Sequence, residues 1–427
     1  MYTRYRDVLD NGLRVVTLEV PHLHTALLAA YVRCGSRHET ARSNGVSHFL
    51  EHMFFRGSER FPDTRVMNGL IEEAGGDLNG YTMRDQGLYF TPLHPKELPV
   101  GFEVMGDMLG APLLKQMEVE REVILEEMMD EVDAAGRDVD LGNLSKRLVF
   151  GRHPLSYKIA GTPRTVRALK EADLREHHLR YYVASNMVLT VAGPVERRRV
   201  LDLADKAFGR LPRGRPVQEE PPSPATRGPK VLFVPDVESQ TELMVCFPCP
   251  PEDHPDFLAL TLMRAVLDDG LTSWLPLNIV ERRGLAYSVH AAIDAFSDAA
   301  VFELEAACSP GKVIPVFEEM VRLLGQLRAT PLAAEDLARV KRRHRMGLDF
   351  MLDDLNALAG WYGGGELFRM PETFEQKVQR LESVTAEQIQ QVAERTFSRR
   401  NLHVLAVGRA AGRAAQRLER AAREAEL

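Results

Sequence analysis

Short apolar runs that read as strands alternate along this chain with longer stretches whose apolar positions fall three and four apart, as on helices. The pattern occurs twice. ALLAAYVRCG near residue 30 and ELMVCFPCP near residue 245 are β-rich segments, and NMVLTVAG and NLHVLAVG close the two halves with similar strands. A shift of 215 residues carries Cys34 to Cys249, His94-Pro95 to Ser309-Pro310, Phe102 to Phe317, Met105 to Met320 and Leu109 to Leu324. The same shift carries Val166 to Leu381, Leu174 to Ile389, Asn186 to Asn401 and Gly193 to Gly408. One offset kept over so many apolar positions marks an internal duplication. Each half is expected to open with two strands and a helix (residues 45–55 and 257–267). Strands follow (80–92 and 285–307), then long helices, a further helix (169–182 and 385–397) and a closing strand. Strands and helices mix without strict β-α-β alternation, which predicts an α+β fold of two homologous sandwich domains in tandem. The proline-rich, apolar-poor stretch 211–229 reads as a linker between an N-terminal domain, 1–210, and a C-terminal domain, 230–427.

The duplication isolates one difference. His48, Phe49, Leu50, Glu51 and His52 spell H-x-x-E-H on the predicted helix 45–55, while the matching positions Met263, Val266 and Leu267 in the second half are apolar. Residues three and four apart share a helix face, so His48, Glu51 and His52 project together. Two imidazoles with a carboxylate beside them are what a catalytic zinc needs, as ligands and as a base next to an open position. The order is the inverzincin signature. The bland alternative, a pair of packed helix histidines, would bury a polar set where the sister helix buries core residues, at a free-energy cost unless the set is ligated or paired.

Length and composition narrow the surroundings. A chain of 427 residues with 44% hydrophobic content can bury two or three cores. A net charge of −7 without a long basic block argues against nucleic acid or an anionic membrane as the main partner. The N-terminus carries no apolar h-region, and no apolar run approaches a membrane span, so a cytoplasmic location is expected. Four cysteines do not make a disulfide framework in a chain of this size. Cys246 and Cys249, spaced C-x-x-C, lack the second pair or histidine of a zinc set and read as free thiols.

A catalytic zinc usually takes a third protein ligand. EVEREVILEEMMDE, residues 118–131, is acidic and helix-forming, and Glu120 and Glu127 lie two turns apart on one face. Glu127 could be a ligand and Glu120 could hold a ligating histidine in place; the segment taken alone reads more readily as a solvated acidic face.

HFLEHMFFRG, GGDLNGYTMRD, EREVILEEM and HPLSYKIAGTP, in that order, resemble the pitrilysin/insulysin family of zinc peptidases, and most nearly its short members similar to mitochondrial processing peptidase. The resemblance runs along nearly the whole chain. It implies a Zn²⁺ cofactor, Glu127 as third ligand, Glu120 as its supporting residue and Glu51 as the catalytic base. It also implies two chains closing around a chamber, with an unfolded peptide substrate held as an extended strand on a sheet edge. Asn79 resembles a substrate-contacting asparagine of that family. Active relatives place an Arg and a Tyr seven residues apart in the second half. Here VERRGLAY supplies Tyr287, but the arginine position is Val280, which can donate no hydrogen bond. The chain therefore reads as the zinc-bearing subunit of a dimer whose paralogous partner supplies the Arg/Tyr pair, or as a homodimer without that arginine. The alternative from another class is a non-catalytic structural or assembly subunit; the intact His48, Glu51, His52 and Glu127 set tells against it. Nothing favours a pocket for small amides.

Elsewhere, Gly363-Gly364-Gly365 reads as a loop too short to cradle phosphate, and the Ala/Arg/Glu-rich tail 409–427 as a solvated terminal helix.

Overall fold

A computed structural model describes residues 2–222, 228–237, 240–368, 371–409 and 413–427. The chain forms two compact units. The first contains Met1–Met128, Tyr157–Glu220 and Asp349–Glu372. Its sheet is built from β1 (Thr3–Val8), β2 (Arg14–Glu19), β3 (Ala26–Val32), β4 (Asn79–Thr82), β5 (Gly87–Leu93) and β6 (Met187–Gly193), ordered β1-β2-β6-β3-β5-β4. Only the β2–β6 pair is parallel. Every residue of β3 is buried because both faces of the sheet are covered. Ala26, Leu28, Ala30 and Val32 join the core beneath the helices Val46–Phe54 and Leu98–Gly110, while Ala29 and Tyr31 join Leu358, Tyr362 and Leu367 on the opposite face. β4 pairs with β5 alone and is a sheet edge.

The second unit contains Met129–Ser156, Pro221–Leu348 and Thr373–Leu427. Its strands are β7 (Lys230–Pro235), β8 (Thr241–Cys249), β9 (Ser288–Ala295), β10 (Ala300–Cys308) and β11 (His403–Gly408), ordered β7-β11-β8-β10-β9. That is the order of the first sheet without β1, with the parallel pair, β7–β11, at the matching place. The fold is the α+β tandem duplication that the sequence predicts. Met263, Val266 and Leu267 lie in the second unit's core, at most 1% exposed.

The tandem halves and the compact units differ in two segments. Residues 129–156 belong to the first half of the sequence but to the second unit, and 349–372 the reverse. The duplication offset relates them: helix Leu141–Phe150 corresponds to the helical stretch from Leu355 to Phe368. Of the expected linker, residues up to Glu220 group with the first unit, and 223–227 lie outside the described residues.

Two smaller expectations change. The triple glycine is not a loop: Gly360–Gly364 forms a wide π-type turn of helix that continues into Gly365–Phe368. A β-carbon on Gly363 would lie 1.9 Å from Thr190 Oγ1, so glycine here serves close packing on the sheet. The tail helix, Ala414–Glu424, is not wholly solvated, because Leu418 and Ala422 are fully buried in the second core. Residues 410–412 of the tail lie outside the described residues. All four cysteines are free, as expected.

A buried charge cluster secures helix Leu141–Phe150 within the second unit. Lys146 Nζ lies 2.8 Å from Glu303 Oε1 and 2.7 Å from Asp294 Oδ2, and the Ser145 hydroxyl donates to Glu303 Oε1 at 2.8 Å. Lys146→Met strands the Glu303 charge in the interior and is expected to cost about 3–5 kcal/mol in urea denaturation. The double variant Lys146→Met/Glu303→Leu should recover much of that loss; equal losses in the two proteins would contradict the assignment.

Buried histidines make stability depend on pH. Burial pushes His177 down to about 3 and His403 to about 4. Below the unfolded value near 6.5 the unfolded chain binds protons that these folded rings refuse, so their contribution is complete above that value and is lost as pH falls. Each histidine is expected to lower the unfolding free energy of zinc-free protein by about 2 kcal/mol between pH 7 and pH 5. His177→Gln should flatten the curve; an unchanged slope would argue against a buried neutral ring.

Candidate metal centre

Helix Val46–Phe54 is amphipathic: Val46, Phe49, Leu50, Met53 and Phe54 are in the core, and His48, Glu51 and His52 share the remaining face. A second helix, Met117–Glu127, packs against it and ends on Glu127. Ile124 anchors this helix in the core while Glu120 and Glu127 turn toward the histidines.

His48 Nε2 lies 3.7 Å from Glu127 Oε1, and His52 Nε2 lies 3.4 Å from Glu127 Oε2. One ligand atom from each of the three residues lies within 4.8 Å of the others, and among the described residues no further group of His, Cys, Asp and Glu converges this way. Tetrahedral zinc with bonds near 2 Å places its ligand atoms roughly 3.3 Å apart, and the 3.4 and 3.7 Å separations from Glu127 to the two rings approach that spacing, so the donor set fits such an ion.

Each ligand candidate has a distinct setting. His52 Nδ1 meets Glu120 Oε2 at 3.0 Å and Nε2 faces Glu127, so the ring is held between two carboxylates; with Nδ1 kept protonated by Glu120, Nε2 is the nitrogen that would ligate a metal. Glu120 is buried, and its other oxygen is ion-paired to Arg56. His48 is supported differently: its Nδ1 is buried and has no hydrogen-bond partner among the described residues. Burial and the neighbouring His52 lower His48 to about 4, against the pull of Glu127. For His52 burial acts downward as well, but Glu127, Glu120 and Glu51 outweigh it and raise the ring above its usual value. The hydrogen bond from His52 holds Glu127 below the usual carboxylate range.

Glu51 stands beside this set. Burial raises its pKa, and the Thr82 hydroxyl donates to its Oε2. Thr82 is on the edge strand β4, so the prospective base and the free sheet edge are joined by one hydrogen bond. Residues alternate along β4. A β-carbon on Gly80 would come within 3.0 Å of the Phe55 ring and 3.1 Å of the Tyr89 ring, so only glycine fits there without displacing a neighbour. Asn79 is half-buried at the start of the same strand, opposite Phe90.

Of the residues picked out in the sequence, His48, Glu51, His52, Glu120 and Glu127 come together in the first unit, with Asn79 on the adjoining edge. Tyr287 belongs to the second unit, where the residue is 80% exposed and its backbone N–H donates to Ala307 O at 2.8 Å. Val280 is packed against that unit's core. Arg283 does not stand in for the missing arginine, since its Nη1 is bound to Glu319 Oε2 at 2.5 Å, and Arg282 Nη1 donates to Asn278 at 3.2 Å. Sequence reasoning missed Arg56 and Thr82. Arg56, one turn beyond His52, could have been found from helical spacing; Thr82 could not.

Comparison with known proteins gives a consistent result. Residues 14–162 match the family model for insulinase (peptidase family M16), and residues 168–343 match the model for the peptidase M16 inactive domain. An uncharacterized zinc protease of Mycobacterium leprae (strain TN) is 31% identical over 407 residues, covering 92% of this chain and 89% of that one. The mitochondrial-processing peptidase subunit beta of Blastocladiella emersonii is 37% identical over 211 residues, covering 48% of this chain and 44% of that one. A protease from Helicobacter pylori has the same fold, with a TM-score of 0.86 at 22% identity over 96% of this chain and 100% of that one.

Proposed function

The chain belongs to the insulinase family of peptidases, M16, and from that premise we propose that it is a zinc metalloendopeptidase acting on unfolded peptides. One observation carries the reading: two imidazole nitrogens and a carboxylate converge at zinc spacing, with a buried carboxylate and a free strand edge beside them. His48, His52 and Glu127 would hold Zn²⁺. When bound, that ion lowers the pKa of a coordinated water and polarises a peptide carbonyl. Glu51, with Oε2 occupied by Thr82, takes the proton of the attacking water at Oε1 and delivers it to the leaving amine. Burial raises its pKa, the direction that favours a carboxyl able both to take and to return a proton. Glu120 keeps the His52 ring turned, and Arg56, paired to the other Glu120 oxygen, holds that carboxylate in place.

Substrate adds to β4 as a further strand, held by main-chain hydrogen bonds and by Asn79. Such an edge reads backbone more than side chains. Incubation with an unfolded peptide, followed by mass spectrometry, should give internal cuts. Methylation of backbone amides across the cut site should slow cleavage by about tenfold or more, since each lost amide bond is worth roughly 1–1.5 kcal/mol. A peptide left intact would overturn the endopeptidase reading.

The setting of Val280, Arg282 and Arg283 supports a divided site, in which a paralogous chain donates the arginine and its tyrosine to the oxyanion. Isolation of this chain from its own cells by an affinity tag is expected to bring down a second, related chain at equal amount. A pure homodimer would overturn the divided site and leave Tyr287 of this chain as the donor. A structural subunit is the competing reading; it requires no bound zinc. Among the described residues no helix is long and apolar enough to cross a membrane, and a cytoplasmic site of action is part of the proposal.

A further inference from the structure

The metal-bearing helix begins in an unusual way. Its N-cap is Gly45, with φ +98°, which has no side chain to satisfy the free N–H groups of the first turn. Glycine is required there because a β-carbon would lie 2.6 Å from Ala160 O, and the facing Gly161 would meet Asn44 O at 2.5 Å. The capping group comes instead from outside the helix. Glu39 Oε2 accepts from Gly45 N at 2.7 Å and from Asn44 Nδ2 at 2.8 Å, and Glu39 Oε1 accepts from Ser47 N at 2.8 Å. The Glu39 residue is 5% exposed.

Two further ties meet the same turn. Asn44 Nδ2 also donates to Lys158 O at 2.8 Å, and Ser47 Oγ lies 2.9 Å from His177 Nε2. Ser47 immediately precedes His48, whose Nδ1 has no partner among the described residues to orient the ring. His52 is steered at Nδ1 by Glu120; His48 has no such partner at Nδ1, so beyond its contacts with Glu127 and the His52 ring its place depends on the backbone that carries it. A negative charge at a helix N-terminus is favourable, and here it also receives three N–H donors that fix the first turn in place.

We infer that Glu39 is a positioning residue for the metal centre: its buried carboxylate sets the first turn of the helix and thereby the place of the His48 ring. The inference rests on the zinc reading above and adds to it a residue nine positions before the first ligand. Glu39→Gln keeps the shape but turns an amide NH₂ toward backbone N–H donors, so it cannot accept at both ends.

The test is zinc binding to the zinc-free full chain, titrated against a competing chromophoric chelator, with circular dichroism to check the fold. Glu39→Gln is expected to weaken zinc binding by about 10–100-fold, the range for groups that orient ligands. In peptide cleavage kcat should fall while KM stays unchanged. Val200→Ala, a buried substitution elsewhere in the same core, should lower the unfolding midpoint and leave zinc affinity as it was. That control separates positioning from general stability. Zinc affinity of Glu39→Gln within twofold of wild type would overturn the inference. Should Glu39→Gln fail to fold, Asn44→Ala removes one donor to Glu39 and the tie to Lys158; it is expected to weaken zinc binding by at least about threefold, and an unchanged affinity would again overturn it. If the unaltered chain binds no zinc, it is the metal reading that fails.

Discussion

Glu51→Gln is expected to keep one zinc per chain and to lose about 10²–10⁴-fold in kcat, the usual share of a positioned acid–base group. The amide has the shape of the carboxylate, and its oxygen can still accept from the Thr82 hydroxyl. What it cannot do is take a proton. Glu51 is not among the three groups that converge at ligand spacing, so metal content should not move. The burial that raises the Glu51 pKa also makes the neutral amide an easy replacement, and stability should be unchanged or slightly higher. Turnover within tenfold of wild type, or loss of the metal, would place the base elsewhere.

His52→Ala should be the most damaging change to metal binding. It removes a proposed ligand, and it also leaves the buried Glu120 with Arg56 as its one remaining partner of the two. Zinc affinity is expected to fall by more than about a hundredfold, beyond the 10–100-fold of a group that only orients a ligand. Glu120→Gln supplies that comparison, since it weakens the hold on His52 Nδ1 and leaves all three ligands. Thermal unfolding gives the same answer independently. Zinc at about 100 times Kd stabilises the unaltered chain by roughly 2.7 kcal/mol and shifts its midpoint upward, whereas His52→Ala should show no shift at that concentration. A zinc-dependent shift of full size in His52→Ala would mean that the ion sits elsewhere.

The polar face of helix Val46–Phe54 was legible because its three residues are local, three and four apart, and because the sister helix fills the same positions with core residues. Glu127 was not legible on physical grounds. Its segment looks like any acidic helix face, and only the family resemblance singled it out before the packing of the two helices brought it to the histidines. Thr82 and Glu39 were out of reach for a related reason: Thr82 meets Glu51 only through the pairing of β4 on β5, and Glu39 meets the helix through a tight turn about Gly45. The duplication predicted the same succession of strands and helices in both halves, yet it could not say which sheet the segments 129–156 and 349–372 would cover. An apolar stripe specifies that a helix must be buried, not against what. The tail misled by composition, because Leu418 and Ala422, four apart, are enough to seat a helix that is otherwise Ala, Arg and Glu.

The most direct measurement of the central claim is peptide cleavage against zinc loading, using the assembly isolated through a tag on this chain and first stripped with a chelator. The account predicts no cleavage of an unfolded peptide by the stripped protein, a linear return of turnover up to one zinc per chain, and no return at any loading for Glu51→Gln. Full zinc occupancy without cleavage, or cleavage that the chelator leaves untouched, would contradict it.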